Sequence, residues 1–269
     1  MTIEPWMAFI FGLLIGSFLN VCIYRLPREL SVLHPARSFC PTCERQIAFY
    51  DNIPVLSYLL LRGRCRHCGT HIPMRYAATE LFTGLLFAAV AYMGLPTIYT
   101  VKLLVFMAIL VTLIFTDLEE RFLPDAFTLG GTVVGLLFAW LAPLQQGAFL
   151  FFLHHRLGER GSSLVEAAVA SLLLSGLLYL LGEAYYWIRK REGLGLGDVK
   201  MVAMLGAFLG LQGALLSLAI ASLLGCVLGL SYILWNRKDF ATYQLPLGTF
   251  LGVAGIGLTF YLLPVIAPQ

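Results

Sequence analysis

Apolar runs close to the length of a bilayer crossing recur along almost the whole chain. In hydrocarbon no water satisfies backbone N–H and C=O groups, so such a run must close its own hydrogen bonds as a helix. A crossing takes about 20 apolar residues. By that measure eight spans are expected, over residues 5–24, 77–94, 100–116, 126–143, 164–188, 199–211, 213–235 and 245–266, the sixth short and interrupted by glycine. Composition agrees: 59% of residues are hydrophobic and 12% charged, against about 45–50% and 25% in soluble proteins. A soluble fold of 269 residues has too little interior to hide that surface. The expected fold class is therefore an all-α polytopic membrane protein with about eight transmembrane helices. The first run has no basic residue before it and no small-residue cleavage site after it, so it reads as an anchor.

The few charges carry the topology. A net charge of +3 is too small to argue for nucleic acid. Its placement is informative: Arg25, Arg28, Arg37, Arg45, Arg62, Arg64, Arg66 and Arg75 surround one long loop. Arg121, then Arg189, Lys190, Arg191 and Lys200, then Arg237 and Lys238, fall in three others. Eight alternating spans put all four loops on one side, with fifteen of the 18 basic residues, and the positive-inside rule makes that side the cytoplasm. Arg156, Arg160 and Lys102 fall opposite, and both termini face outward. The expected organisation is a first transmembrane helix over 1–25, a polar module over 26–76, and a seven-helix bundle over 77–269.

The polar module holds two C-x-x-C pairs, Cys40-Pro-Thr-Cys43 and Cys65-Arg-His-Cys68. Two such turns suit a tetrahedral zinc ion, each presenting two thiolates, and a closed four-sulfur shell has no open position, so the metal is structural. An insert of some 50 residues with little core needs such a staple. Two disulfides are the alternative, which a reducing cytoplasm disfavours. His67 or His71 is a possible replacement ligand.

Two of the five aspartates stand at span ends. Asp117 closes the third span, and Asp198 opens the sixth within Gly193-Leu-Gly-Leu-Gly-Asp-Val-Lys200. A carboxylate beside hydrocarbon is costly and marks a functional site by default. The topology puts both on the cytoplasmic side, where they can meet. Two carboxylates in one partly dry site share a proton, the state that peptide hydrolysis needs: one activates water and the other donates a proton. Gly195 and Gly197 would let a substrate backbone approach and the loop flex. The plainer alternative makes Asp117 a span-end charge and Asp198 a helix cap. Lys200, close behind, is expected to meet lipid phosphate or substrate carboxylates.

With these residues in place, the chain resembles the type IV prepilin peptidases, membrane aspartyl proteases of the Gly-x-Gly-Asp class. The likeness rests on Gly16-Ser-Phe-Leu-Asn20-Val with Arg25-Leu-Pro27 behind it, on the two cysteine pairs, and on Asn52-Ile-Pro-Val-Leu-Ser-Tyr58 between them. It extends to Asp117 followed by Leu123-Pro124-Asp125, and to Gly195-Leu-Gly-Asp198-Val-Lys200. The resemblance implies that Asp117 and Asp198 are catalytic, supported by Gly195, Gly197 and Lys200, and that Cys40, Cys43, Cys65 and Cys68 bind zinc. It implies cleavage of prepilins or type II secretion pseudopilins after the glycine ending a basic leader, at the cytoplasmic face of the bacterial inner membrane.

It further implies N-methylation of the new N-terminal residue with S-adenosylmethionine. No nucleotide-binding strand–turn–helix pattern supports that step, so the donor site is assigned no residues beyond the candidates Asn20, Arg25, Arg75 and Glu80. A peptidase without methyltransferase activity is the alternative. A transporter or assembly scaffold is the reading from another class, and would call for discontinuous spans with midplane charge. Membrane lipids and the pilin substrate are the expected partners. Some positions depart from the family pattern, among them Thr249, where proline often follows Pro-x-Gly. None is expected to touch the aspartates.

Overall fold

The computed structural model of the chain describes residues 3–35, 37–145, 147, 150–191, 193–236 and 245–262. Among these the regular structure is helical, joined only by two isolated β-bridges. The helices are α1 (Pro5–Arg25), α2 (Leu56–Leu60), α3 (Arg75–Tyr92), α4 (Thr97–Glu120), α5 (Asp125–Leu141), α6 (Leu150–Arg189), α7 (Leu196–Asn236) and α8 (Leu247–Tyr261). Four segments are long and apolar enough to cross a membrane: Pro5–Arg28, Thr97–Glu120, His155–Arg189 and Leu196–Tyr232. α5 and α8 are apolar but shorter. The protein is an all-helical membrane protein. Arg237 and Lys238, and the last residues expected of the eighth span, lie outside the described residues.

Local chemistry sets the helix ends. Pro5 opens α1, where its missing N–H costs nothing, and Pro124 is the extended residue before α5. Gly94, at φ 65°, turns the chain out of α3. α6 and α7 each contain a break at a left-handed glycine, Gly158 and Gly210.

The break at Gly210 is a reversal. Near the start of α7, Gly197 packs on Leu123, which also packs on Gly248 of α8. Toward the end of α7, Gly225 meets Phe250 and Gly229 meets Leu245. Both ends of α7 therefore lie beside the start of α8, so its two arms run antiparallel with the turn at Gly210. This continuous apolar stretch is a helical hairpin. A helix restarting after a break presents orphan N–H groups. Here the buried Glu166 carboxylate accepts the Leu211 N–H at 3.1 Å.

The chain divides into two compact units, Met1–Phe115 and Thr116–Gln269. In the first, α1 packs on α3 almost backbone to backbone. A Cβ at Gly12 would stand 2.8 Å from the Gly84 Cα, and one at Gly16 2.7 Å from the Glu80 Cα. Small residues at four-residue spacing permit that approach in a membrane, where packing rather than hydrophobicity joins helices. In the second unit, α7 packs against α5, α6 and α8. The Ser171 hydroxyl of α6 donates to the Ala203 carbonyl of α7 at 2.8 Å.

One expectation about charge changes. Lys102, expected on the outward side, is fully buried, and Glu166 is fully buried as well.

Candidate functional site

Asp117 lies three residues before the end of α4 and is 6% exposed. Its Oδ2 accepts two hydrogen bonds from one residue, the Thr249 backbone N–H at 2.6 Å and the Thr249 hydroxyl at 2.8 Å. Thr249 is the third residue of α8. The carboxylate is thus seated at a helix N-terminus, where free N–H groups and the helix dipole favour negative charge. Gly248 permits the seating: a Cβ there would stand 3.1 Å from the Asp117 Cγ.

Asp198 is the third residue of α7, inside the first turn rather than at the cap, and half-buried. Its N–H donates to the Gly195 carbonyl at 3.1 Å. A Cβ on Gly195 would come within 3.2 Å of Asp198 Oδ2. Leu123 ties the two acids together, with its side chain against Gly197 on one side and Gly248 on the other. Asp198 lies within electrostatic reach of the Asp117 carboxylate. Of the two glycines, then, Gly195 stands open beside Asp198, while Leu123 takes the room over Gly197.

Lys200 points elsewhere than expected. Its ammonium pairs with the Asp125 carboxylate at 2.7 Å, with side chains 32% and 61% exposed. Asp125 is the first residue of α5, so the pair ties the opening turn of α7 to that of α5. An ion pair this exposed contributes at most about 1 kcal/mol. Its value is in register.

In the first unit the four cysteines converge, with all four Sγ atoms within 4.8 Å of one another. Cys40 and Cys68 Sγ are 3.8 Å apart, the separation of about 3.8 Å that a tetrahedral shell with ~2.3 Å metal–sulfur bonds requires. The cluster can hold a metal ion. Its two halves share one design. The Cys40 N–H donates to the Arg45 carbonyl and the Glu44 N–H to the Cys40 carbonyl; the Cys65 N–H donates to Thr70 and the Gly69 N–H to Cys65. Glu44 and Gly69 hold the equivalent left-handed position, φ 56° and 71°. Four thiols this close cannot all ionise independently. Hydrogen bonding with the Thr70 side chain and backbone holds Cys68 down, to about 6. Cys43 rises to about 11: the Arg45 backbone hydrogen bond opposes the rise, but burial and the thiols of Cys40, Cys68 and Cys65 outweigh it. A divalent cation would remove that conflict.

The same unit contains a cavity of about 360 Å³ between α1, α3 and the cysteine turns. Asn20, Arg25, Arg75 and Glu80 all line it. Asn20 Nδ2 donates to the Tyr76 carbonyl at 2.9 Å. Arg25 Nη1 donates to the carbonyls of Ser31, Val32 and Pro35 at 2.9–3.1 Å and so holds the chain that leaves α1. Arg75 stacks over the Tyr76 ring at 4.7 Å. Glu80 Oε2 accepts the Val55 N–H at 2.7 Å.

Two family models match the chain, the Bacterial Peptidase A24 N-terminal domain over residues 10–93 and the Type IV leader peptidase family over 104–230. A prepilin leader peptidase/N-methyltransferase of Aeromonas hydrophila is 36% identical over 93% of this chain and 90% of its own length. The chain belongs to the type IV leader peptidase family. Proteins of the same name from Neisseria gonorrhoeae (34% identical, 87% of this chain and 84% of the relative) and Myxococcus xanthus (41%, 84% and 62%) are similarly related. No solved structure matches. Within this family of peptidases Thr249 takes on weight. It was expected not to touch the aspartates, yet it supplies two hydrogen-bond donors to Asp117. A proline at that position would supply neither.

Proposed function

We propose that Asp117 and Asp198 are the catalytic pair of a membrane aspartyl endopeptidase that removes the leader from prepilins or pseudopilins. The observation that carries this reading is the seating of the Asp117 carboxylate on the start of α8, in the same cluster as Asp198 and Leu123. The two donors on Asp117 Oδ2 favour its ionised form, so Asp117 is assigned the base and Asp198 the acid. Asp117 takes a proton from water as the water oxygen bonds to the scissile carbonyl carbon, while Asp198 protonates the carbonyl oxygen. Collapse of the tetrahedral intermediate breaks the C–N bond as the leaving nitrogen gains the proton held by Asp117, and a hydroxyl of the intermediate returns a proton to Asp198, which restores both acids to their starting states.

Eight spans, with α7 counted as two, put both acids and the cysteine module at the cytoplasmic face of the bacterial inner membrane. A prepilin presents a basic leader there and an apolar segment within the bilayer, so its scissile bond reaches the level of the aspartates. Zinc in the four-cysteine cluster is structural. S-adenosylmethionine, when bound, would supply the methyl group for the freed N-terminal amine. Pilin substrates and lipids are the partners, and nucleic acid is not.

The reading is tested by incubating the purified protein with a prepilin and S-adenosylmethionine. Mass spectrometry should find a product that has lost its leader after glycine and gained 14 Da, roughly one methyl in place of hydrogen. A shortened product with an unmodified amine would leave a peptidase alone, and an intact prepilin would overturn the proposal.

Thr249 is a positioning residue in this scheme. A hydrogen bond to a charged group contributes about 1.5–3 kcal/mol, so Thr249→Val, which removes only the hydroxyl donor, should lower kcat about tenfold with KM little changed. Thr249→Ser keeps the hydroxyl and should stay within about twofold of the parent. Equal losses in the two variants would make the effect one of packing.

A further inference from the structure

The cavity of the first unit takes no part in the hydrolysis derived above, and its walls have the chemistry of a specific ligand site. We propose that it binds the methyl donor, an adenosyl sulfonium, with Glu80 as the carboxylate that complements the positive sulfur. The proposal rests on the methyltransferase reading and deepens it by giving that activity a site.

Size is the first support. At about 360 Å³ the cavity falls within the range of small-molecule sites, about 300–1,000 Å³. Its lining supplies what such a donor needs. Tyr24, Tyr58 and Tyr76 line it with aromatic rings, a chemistry that suits a purine and a cationic sulfur, although Arg28 and Arg75 already stack on one face of Tyr24 and of Tyr76. Arg45, which makes no ion pair among the described residues, offers a charge for the donor's carboxylate.

Glu80 is the second support. Its side chain is 9% exposed, and its hydrogen bonds come from neutral donors, the Val55 N–H and the Ser17 hydroxyl. It makes no ion pair among the described residues. A buried carboxylate without a cation is costly, and a cationic ligand beside it recovers that cost.

The third support is local strain. Val55, another wall residue, sits at φ 60° and ψ −48°, and the Leu56 N–H closes a three-residue turn on the Pro54 carbonyl at 2.6 Å. A β-branched residue rarely adopts that conformation, which is held where the surroundings over-determine it, typically at ligand sites. Here the hydrogen bond to Glu80 holds it. The same carboxylate thus shapes the wall and faces the cavity.

Binding calorimetry on the intact, metal-loaded protein in detergent separates charge recognition from packing. S-adenosylmethionine carries a sulfonium, and S-adenosylhomocysteine is nearly the same shape with a neutral sulfur. Both should bind the parent protein. Glu80→Gln keeps an oxygen acceptor for Val55 but removes the charge, and should weaken S-adenosylmethionine at least tenfold while S-adenosylhomocysteine changes less than threefold. Failure of both ligands to bind the parent, equal loss of both in the variant, or equal retention of both would overturn the site. The outcome is separable from the activity reading. If methylation proceeds while Glu80→Gln binds both ligands normally, the site falls and the methyltransferase stands. If the parent binds both ligands but leaves prepilins untouched, the reverse holds.

Discussion

Asp117→Asn and Asp198→Asn should each abolish leader cleavage, lowering the rate at least a thousandfold, and the double variant should be little slower than either. General acid–base catalysis is typically worth about 10²–10⁴-fold. In the proposed scheme neither carboxyl group works without the other, and groups that act as a unit are lost together rather than additively. Asparagine is nearly the same size as aspartate, and its carbonyl oxygen can still accept from the Thr249 N–H and hydroxyl that meet Asp117 in the parent. The seat at the start of α8 should therefore survive, and thermal unfolding should shift by no more than a few degrees. Time courses of prepilin processing by the parent, both single variants and the double variant measure the effect. A single variant keeping a tenth of the parent rate would remove that aspartate from the chemistry. A double variant a further thousandfold slower than either single one would mean that the two acids act independently.

What was readable in the sequence follows from the range of the forces involved. Apolar runs are a local signal, and α4, α5 and the arms of α7 lie where those runs predicted helices. The two C-x-x-C turns are local too, and each is closed by hydrogen bonds within six residues. The candidate acids stood out because charge is scarce in such a chain. Contacts across long sequence distances left no comparable trace. Thr249 meets Asp117 from 132 positions away, and nothing in its neighbourhood marks the start of α8 as a carboxylate's seat. Lys200 lies 75 positions from Asp125, so lipid looked as good a partner for it as any acid. Glu166 caps the arm of α7 after Gly210 from 45 positions away. A glycine in the right place for a break is visible in a sequence, but the group that satisfies the broken end is not. The cavity is the extreme case, because its wall is assembled from α1, two cysteine turns and α3, and no single stretch carries it.

Removing the metal should unfold the cysteine module. Among the described residues of 26–76, only Cys40, Ser57 and Gly63 are buried, so the segment has almost no core of its own. The Asp51–Arg66 ion pair, in which each charge favours ionisation of the other, joins an Asp51 side chain that is 8% exposed to an Arg66 side chain that is 51% exposed. What remains is the four-sulfur cluster, and structural zinc sites bind with about 10–16 kcal/mol, as much as a whole small domain's stability of about 5–15 kcal/mol. The intact protein should contain about one zinc per chain, and a strong chelator should open the module to trypsin at Arg37, Arg45, Arg62, Arg64 and Arg66. Proteolysis of a transiently opened segment follows its open population, so cleavage there should accelerate at least a hundredfold. Cys68→Ser should do the same without chelator, since it leaves three thiolates and an incomplete shell. Re-addition of zinc should restore protection to the parent and not to the variant. A metal-free parent that resists trypsin as well as the loaded protein would show that the hydrogen-bonded turns hold the module unaided, and the cluster would then be a site that binds metal without depending on it.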